Sequence, residues 1–347
     1  MTTNADKERL LALYKGCRAY HGELHDHSQS GGTSDGHFPL EEWPARMKEL
    51  GIDFAAILDH RQIRHMYQPV WEDGLFIPGT EPGAQILDSN AEIKWVHYNM
   101  LFGDRDELAK VLSEFPEFEF TGGIEGHFGY PNFTKARFSE LIDAVFAHGG
   151  FFVYPHPNLV TYSKDPLDYW FKDEIGMEVF YTAKDCVQTR ENYRIWTALL
   201  AAGKRVWATA GGDLHQDPRN DVLTTVYAEE KTSKAYMKRL RKGDLTCGPV
   251  GIRMCIGDTA TGGKSRFDGK KLVILISDFH FTVNKPEHSF RADVITDRGV
   301  EESFEVRPDR ESWYSLDANA RAFYRVELFD ETEGLRIAIG NPIWNEK

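Results

Sequence analysis

Short apolar runs in this chain end, one after another, on an imidazole or a carboxylate. His25-Asp26-His27 follows the run at 18–24, Asp59-His60 closes the run at 52–58, and Glu81 follows 75–78. His97 stands at the start of 96–102, His156 follows 151–154, and Asp213 with His215 follows 206–210. Helical patterns lie between several of these runs. Residues 41–50 read as a helix with Pro44 near its first turn, where proline is tolerated. Phe138, Leu141, Ile142, Val145 and Phe146 form one buried helix stripe, stopped by Gly149-Gly150. A helix-like stretch, a strand at 177–181 and a helix at 191–202 follow. This strand–helix order predicts an α/β fold with a parallel sheet, open or closed into a barrel. In such folds the strand C-termini converge on one face, and sites are built there.

Imidazole and carboxylate together are the ligand set of zinc, manganese or iron. On an extended chain residues i and i+2 point the same way, so His25 and His27 can chelate one ion. Asp213-Leu214-His215 is read with the same geometry. So many donors exceed what one ion coordinates, and two or three divalent metals with one bridging carboxylate fit better. Asp59 is either a ligand or the partner of a ligand histidine. His127 rivals His97 for one ligand position. His21, His37, His65 and His148 read as surface or supporting residues, and His280 and His288 as unrelated to the cluster. Trp95 and Tyr98 flank His97 as candidate pocket-lining residues.

The pattern changes near Cys247. Strand candidates at 272–276, 290–295, 300–306, 323–329 and 335–339 are separated by glycine and aspartate turns. The expected organisation is a metal-binding α/β part at 1–247 and a small antiparallel β domain at 248–347. The formal net charge of −13 disfavours nucleic acid as a partner, since phosphate contacts need a basic face. A small anionic substrate is still admitted, because metal ions reverse the local charge. The four cysteines form no C-x-x-C pair, the first residues lack a signal-peptide core, and no apolar run approaches the ~20 residues that span a bilayer. The expectation is a cytoplasmic protein without membrane contact; a homo-oligomer is left open. Gly257 to Ser265 has the wrong spacing for a phosphate loop, and the basic run 231–242 reads as a solvated helix face.

The motifs resemble those of the PHP (polymerase and histidinol phosphatase) family. Gly22-Glu-Leu-His25-Asp-His27 with Ser34-Asp35-Gly36 is similar to its opening motif, and Gly51 through Asp59-His60 to its second. Pro78-Gly-Thr-Glu81, Val96-His97-Tyr98, Tyr154-Pro-His156-Pro-Asn158 and Gly211-Gly-Asp213-Leu-His215 follow in the family's order. Leu58 departs from the threonine usual before Asp-His. The resemblance covers about 20–248 and implies a distorted (β/α)7 barrel. It implies one ion held by His25, His27, Glu81 and Asp213, a second by Glu81, His97 and His156, and a third by Asp35, His60 and His215. The 240–249 stretch leading into a β domain resembles the carbaryl hydrolase-like subgroup.

A water bridging two such ions has its pKa lowered toward ~7 and attacks as hydroxide, so no serine or cysteine nucleophile is needed. Glu81 is then the bridging carboxylate, and Asp59, Asp213 and His215 are the candidates to move the leaving-group proton. Arg61 and Asn158 are the candidate substrate-binding residues, Arg61 through bidentate contact with a phosphate. The reading is a metal-dependent hydrolase with a phosphomonoester or phosphodiester as substrate. Its alternatives are a carbamate, ester or amide hydrolase at the same metals, and a non-catalytic metal-binding scaffold.

Overall fold

The computed structural model describes residues 2–115, 117 and 130–346. Helix α1 (Asn4–Leu13) is followed by β1 (Arg18–Asp26), α2 (Trp43–Leu50), β2 (Phe54–Ile57), β3 (Phe76–Ile77) and β4 (Gly79–Thr80). A hairpin of β5 (Gly83–Ile86) and β6 (Ile93–His97) leads to β7 (Asn99–Leu101) and α3 (Arg105–Glu114). Next come β8 (Asn132–Phe133), α4 (Lys135–Ala147), β9 (Phe151–Tyr154), α5 (Pro157–Val160), β10 (Thr161–Tyr162) and β11 (Gly176–Tyr181). Then α6 (Val187–Ala201), β12 (Trp207–Gly211), β13 (Thr224–Ala228), α7 (Ser233–Leu240) and β14 (Leu245–Cys247) complete the α/β part. The remaining strands are β15 (Gly251–Ile256), β16 (Thr259–Ala260), β17 (Lys264–Ser265), β18 (Lys271–Ser277), β19 (Phe290–Thr296), β20 (Gly299–Val306), β21 (Ser312–Asp317), β22 (Phe323–Asp330) and β23 (Leu335–Asn345).

The fold is mixed α/β, and the expected parallel sheet is realised only in part. β1–β2, β2–β3, β9–β11 and β11–β12 pair in parallel. β1–β13, β4–β7 and β7–β9 are antiparallel. Parallel neighbours need a long crossover. The chain reaches β7 from β4 through the β5–β6 hairpin, and β13 from β12 without a helix. The single strand expected at 96–102 is split at Tyr98. β6 pairs with β5 and β10, whereas β7 pairs with β4 and β9. Successive side chains point to opposite faces. Tyr98 therefore leaves the His97 side and packs in the core against Phe138 and Phe152, so it does not line a pocket.

Main-chain bonds beyond the strand ends draw four strands together. The Glu81 amide donates to the Leu58 carbonyl at 3.2 Å, and the Arg61 amide to the Glu81 carbonyl at 3.3 Å. On the other side the Asp213 amide donates to the His25 carbonyl at 2.7 Å, and the His27 amide to the Leu214 carbonyl at 3.0 Å. The C-terminal ends of β1, β2, β4 and β12 thus lie side by side. Helix α4 buries the stripe of Phe138, Leu141, Ile142 and Val145 against the large core behind them.

Residues 248–346 form strands that pair antiparallel, except β17 with β23, over a core that includes Ile252, Ile274, Val294 and Val326. They share a sheet with the first part: β20, β19, β22, β23, β14, β13, β1, β2 and β3 are neighbours in that order. The junction pairs Thr246 with Gly340 and Cys247 with Ile339. Asn341 reinforces it. Its buried carboxamide accepts from the Ala208 amide at 2.7 Å and donates to the Ala208 carbonyl at 3.1 Å, serving the edge of β12 as a strand would. Among the described residues no helix is long and apolar enough to cross a membrane. An Asn341→Ala substitution leaves that buried amide and carbonyl without partners. It is expected to destabilise the protein by about 2–4 kcal/mol, measured by urea unfolding.

Candidate metal centre

Glu81, immediately after β4, is fully buried and sits at the middle of the converging strand ends. Its Oε1 lies 3.0 Å from both His97 Nδ1 and His156 Nε2. Its Oε2 lies 3.2 Å from His25 Nε2, His27 Nε2 and His60 Nδ1. Asp213 Oδ1 lies 3.0 Å from His27 Nε2 and 3.4 Å from His25 Nε2. Asp35 Oδ1 lies 3.2 Å from His215 Nε2, 3.6 Å from His60 Nε2 and 3.9 Å from His27 Nδ1. His25, His27, Asp35, His60, Glu81, His97, His156, Asp213 and His215 are therefore brought into one cluster. His27 touches both sides of it, the buried side through Nε2 and the half-exposed Asp35 side through Nδ1.

Two local devices aim these groups. β1 sends His25 and His27 to one face by strand alternation, as expected. The other device differs from the expectation for Asp213-Leu214-His215. Asp213 is not extended but left-handed, with φ at +51°. That turn carries His215 back so that its Nδ1 meets the Asp213 carbonyl at 2.9 Å. His156 at +26°, Arg61 at +52° and Thr182 at +55° share this unfavourable region. All four follow strand C-termini. Backbone strain of this kind persists where surrounding contacts over-determine it, and it gathers at functional sites.

Burial by itself would keep the Glu81 carboxyl protonated. His25, His60 and His97 overcome it and hold the group well below the usual carboxylate range. Asp213 is likewise lowered against its burial by His25, His27 and His156, and Asp35 by His215 and His60. Burial alone would lower His25, but Glu81, Asp213 and Glu178 raise it well above its ordinary value. His60 is raised to about 9 against its burial, by Glu81 and Asp35. His25 Nε2 and Glu81 Oε2 are 3.2 Å apart yet neither has a hydrogen bond. Their lone pairs converge on shared space instead of on each other. A buried, converging set of imidazoles and carboxylates fits divalent metal ions. Donor atoms gather in three overlapping sets: His25, Glu81, His156 and Asp213; His27, Asp35, His60 and His215; and His60, Glu81 and His97.

Other candidates fall around this cluster. The buried Asp59 carboxylate accepts from the Ser28 amide at 2.7 Å, the Ser28 hydroxyl at 2.9 Å and the Ser30 hydroxyl, and lies 3.1 Å from His65 Nδ1. It is held among those groups, away from the metal-ligand sets. Arg61 stacks its guanidinium 5.7 Å from the centre of the Tyr130 ring. Asn158 accepts from the Tyr169 hydroxyl at 3.2 Å. His127 lies outside the described residues. His37 is exposed, His148 pairs with Glu107 and Glu114, and half-buried His21 stands edge-on to buried His280. His288 meets Asp330 at 2.7 Å, and Asp330 caps the turn before β23.

Three supporting residues escaped the sequence reading. Glu178 on β11 accepts from His25 Nδ1 at 3.0 Å and from the His156 amide at 2.8 Å. The Tyr181 hydroxyl donates to Asp213 Oδ2 at 2.8 Å. The Tyr130 hydroxyl lies 2.7 Å from His97 Nε2. An acid inside the apolar run 176–181 was a usable signal for Glu178, because a buried carboxylate demands partners.

No protein-family model matches the chain, and no curated protein does. Among solved structures, a two-domain protein from Bacteroides vulgatus described as containing a predicted PHP-like metal-dependent phosphoesterase is 15% identical, with a TM-score of 0.41. That match covers 94% of this chain and 96% of the other. An endonuclease Q from Pyrococcus furiosus, described as lesion-specific, is 14% identical with a TM-score of 0.45, over 65% of this chain and 56% of that one. An amidohydrolase from Chromobacterium violaceum is 17% identical with a TM-score of 0.38, over 57% and 88%. Likenesses this distant carry no inference about chemistry.

The electrostatics set a pH dependence for protein stripped of metal by chelator. His60 is raised from 6.5 to about 9, so its stabilising contribution is complete below about pH 6.5 and lost as pH rises through about 9. The stripped protein should lose thermal stability between pH 7 and 10 in melting experiments, and a flat profile would contradict the assignment. Removing the Glu178 carboxylate frees His25 to reorient. Glu178→Ala should weaken metal binding by about 10–100-fold in chelator competition.

Proposed function

We propose that this chain is a metal-dependent phosphoesterase of the PHP kind, with a distorted (β/α)7 barrel at its centre. The observation that supports it most is the convergence of five imidazoles on buried Glu81, with Asp213, Asp35 and His215 beside them. In this reading His25, His27, Glu81 and Asp213 hold one divalent ion, Glu81, His97 and His156 a second, and Asp35, His60 and His215 a third. Bound ions supply a water of lowered pKa and Lewis-acid stabilisation of the attacked phosphorus.

The protein's own groups do the rest. Glu178 orients His25, and Tyr181 fixes the free oxygen of Asp213. Asp213 and His215 stand where the cluster opens toward Asp35, and they are assigned the leaving-group proton. Asp59 is a positioning residue that acts through Ser28, Ser30 and His65. Arg61, on the rim beside Tyr130, receives the substrate phosphate. Asn158, at the start of α5 beside His156, is the second residue assigned to substrate binding.

Purification without chelator should yield two to three metal ions per chain. The protein, supplied with manganese or zinc, should turn over p-nitrophenyl phosphate or its bis-ester. Both properties should disappear in the His25→Ala, His27→Ala double variant. Turnover of an aryl N-methylcarbamate alone would transfer the chemistry to carbamates. Less than one ion per chain after metal addition would leave a scaffold without a catalytic centre.

A further inference from the structure

Two sequence features stand apart from the metal centre: the basic run 231–242 and the glycine-bearing segment 257–265. The fold brings their ends together at the opposite end of the α/β part. Asp213 follows the C-terminal end of β12, whereas Trp207 opens that strand. Beside Trp207 lies a cavity of about 590 Å³, walled by the turn 242–244 after α7 and the turn 261–264 between β16 and β17. Glycines let these turns and the indole approach one another. Gly243 and Gly262 are left-handed, with φ at +69° and +81°. A Cβ on Gly243 would fall 2.5 Å from the Trp207 ring, and one on Gly262 would collide with the Lys242 carbonyl oxygen. Bare backbone at both positions sets Lys242, Lys264 and Trp207 around one space.

That space is rich in donors. Trp207 is 2% exposed, and its indole N–H has no hydrogen-bond partner among the described residues. A buried donor left unmatched is costly, so an acceptor belongs there. Glu174 holds Arg205 at 3.0 Å and Asp244 holds Arg239 at 2.7 Å, so those charges cancel. Lys242 and Lys264 have no carboxylate in ion-pair reach among the described residues, and Arg241 donates to the Phe146 carbonyl at 2.9 Å. Against these three cations the described lining sets Asp258 alone, an excess of two positive charges in a chain of net charge −13. A neighbouring cavity of about 810 Å³ shares Arg205 and Lys264 with the first. It is lined by Trp344, whose indole N–H is likewise buried without a partner among the described residues.

We propose that these cavities form a second ligand site, remote from the metal centre, for a small molecule bearing a phosphate group. A phosphate monoester is close to a dianion at neutral pH and offers several strong acceptor oxygens. It therefore matches the excess charge and accepts from the Trp207 N–H, Lys242 and Lys264 together. A carboxylate supplies half that charge. The rest of the molecule extends past Lys264 toward Trp344, and cavities of this size are usual for small ligands. The site uses none of the metal-ligand residues, so it stands or falls apart from the hydrolase reading.

The test follows the indole N–H signals of the zinc-loaded protein, with isotope-labelled tryptophan, by NMR at constant ionic strength. Trp207→Phe identifies the Trp207 signal by its loss. Inorganic phosphate should shift that signal saturably, with half-saturation at about 1 mM. The Lys242→Gln, Lys264→Gln double variant, altered only at exposed side chains, should raise that concentration about tenfold at unchanged zinc content. Sodium acetate at the same ionic strength should leave the signal in place. Phosphate held at the zinc ions alone would not move the Trp207 signal, and that result would overturn the proposal. So would a shift that acetate reproduces, which is screening, or a shift that the double variant leaves untouched.

Discussion

A carboxylate with no access to water must be matched by partners, and Glu81 is matched by five imidazoles. Those imidazoles arrive from separate places: His25 and His27 from β1, His60 from beyond β2, His97 from β6 and His156 from beyond β9. No local segment could satisfy Glu81 alone. The strand ends must meet at one point, and main-chain bonds between Glu81, Leu58 and Arg61 and between Asp213, His25, His27 and Leu214 hold them there. Left-handed turns at Arg61, His156, Thr182 and Asp213 are what this convergence costs the backbone.

Around the cluster lies a layer of groups that touch its members without belonging to the ligand sets. Glu178 fixes the tautomer-determining nitrogen of His25 and anchors the His156 backbone. Tyr181 and Tyr130 each engage one member, Asp213 and His97. Asp59 ties the Ser28–Ser30 turn to His65. Such outer contacts set which lone pair faces a metal.

How far the site could be read from the residues depends on the range of the interaction. The His25-x-His27 pair was readable because strand alternation is a two-residue property. The stripe from Phe138 to Val145 was readable because helix periodicity is equally local. Tyr98 was misread because the sequence does not show that the chain changes sheets between His97 and Asn99. Asp213 and His215 come together by another route than the expected strand alternation, since a left-handed residue replaces the extended one. Glu178 and Tyr130 were missed because their partners lie 153 and 33 residues away.

The sequence by itself determined the donor types, their order along the chain and their placement at the ends of apolar runs. It also determined that strands follow one another without intervening α-helices after Cys247 among the described residues. Tertiary structure alone decided that the two regions share one sheet, since Thr246 meets Gly340 only through long-range register. It alone decided that Asp59 faces Ser28, Ser30 and His65. The physical reason is that composition and periodicity report local backbone preference, whereas a buried charge chooses its partners from whatever strands packing brings within hydrogen-bonding reach.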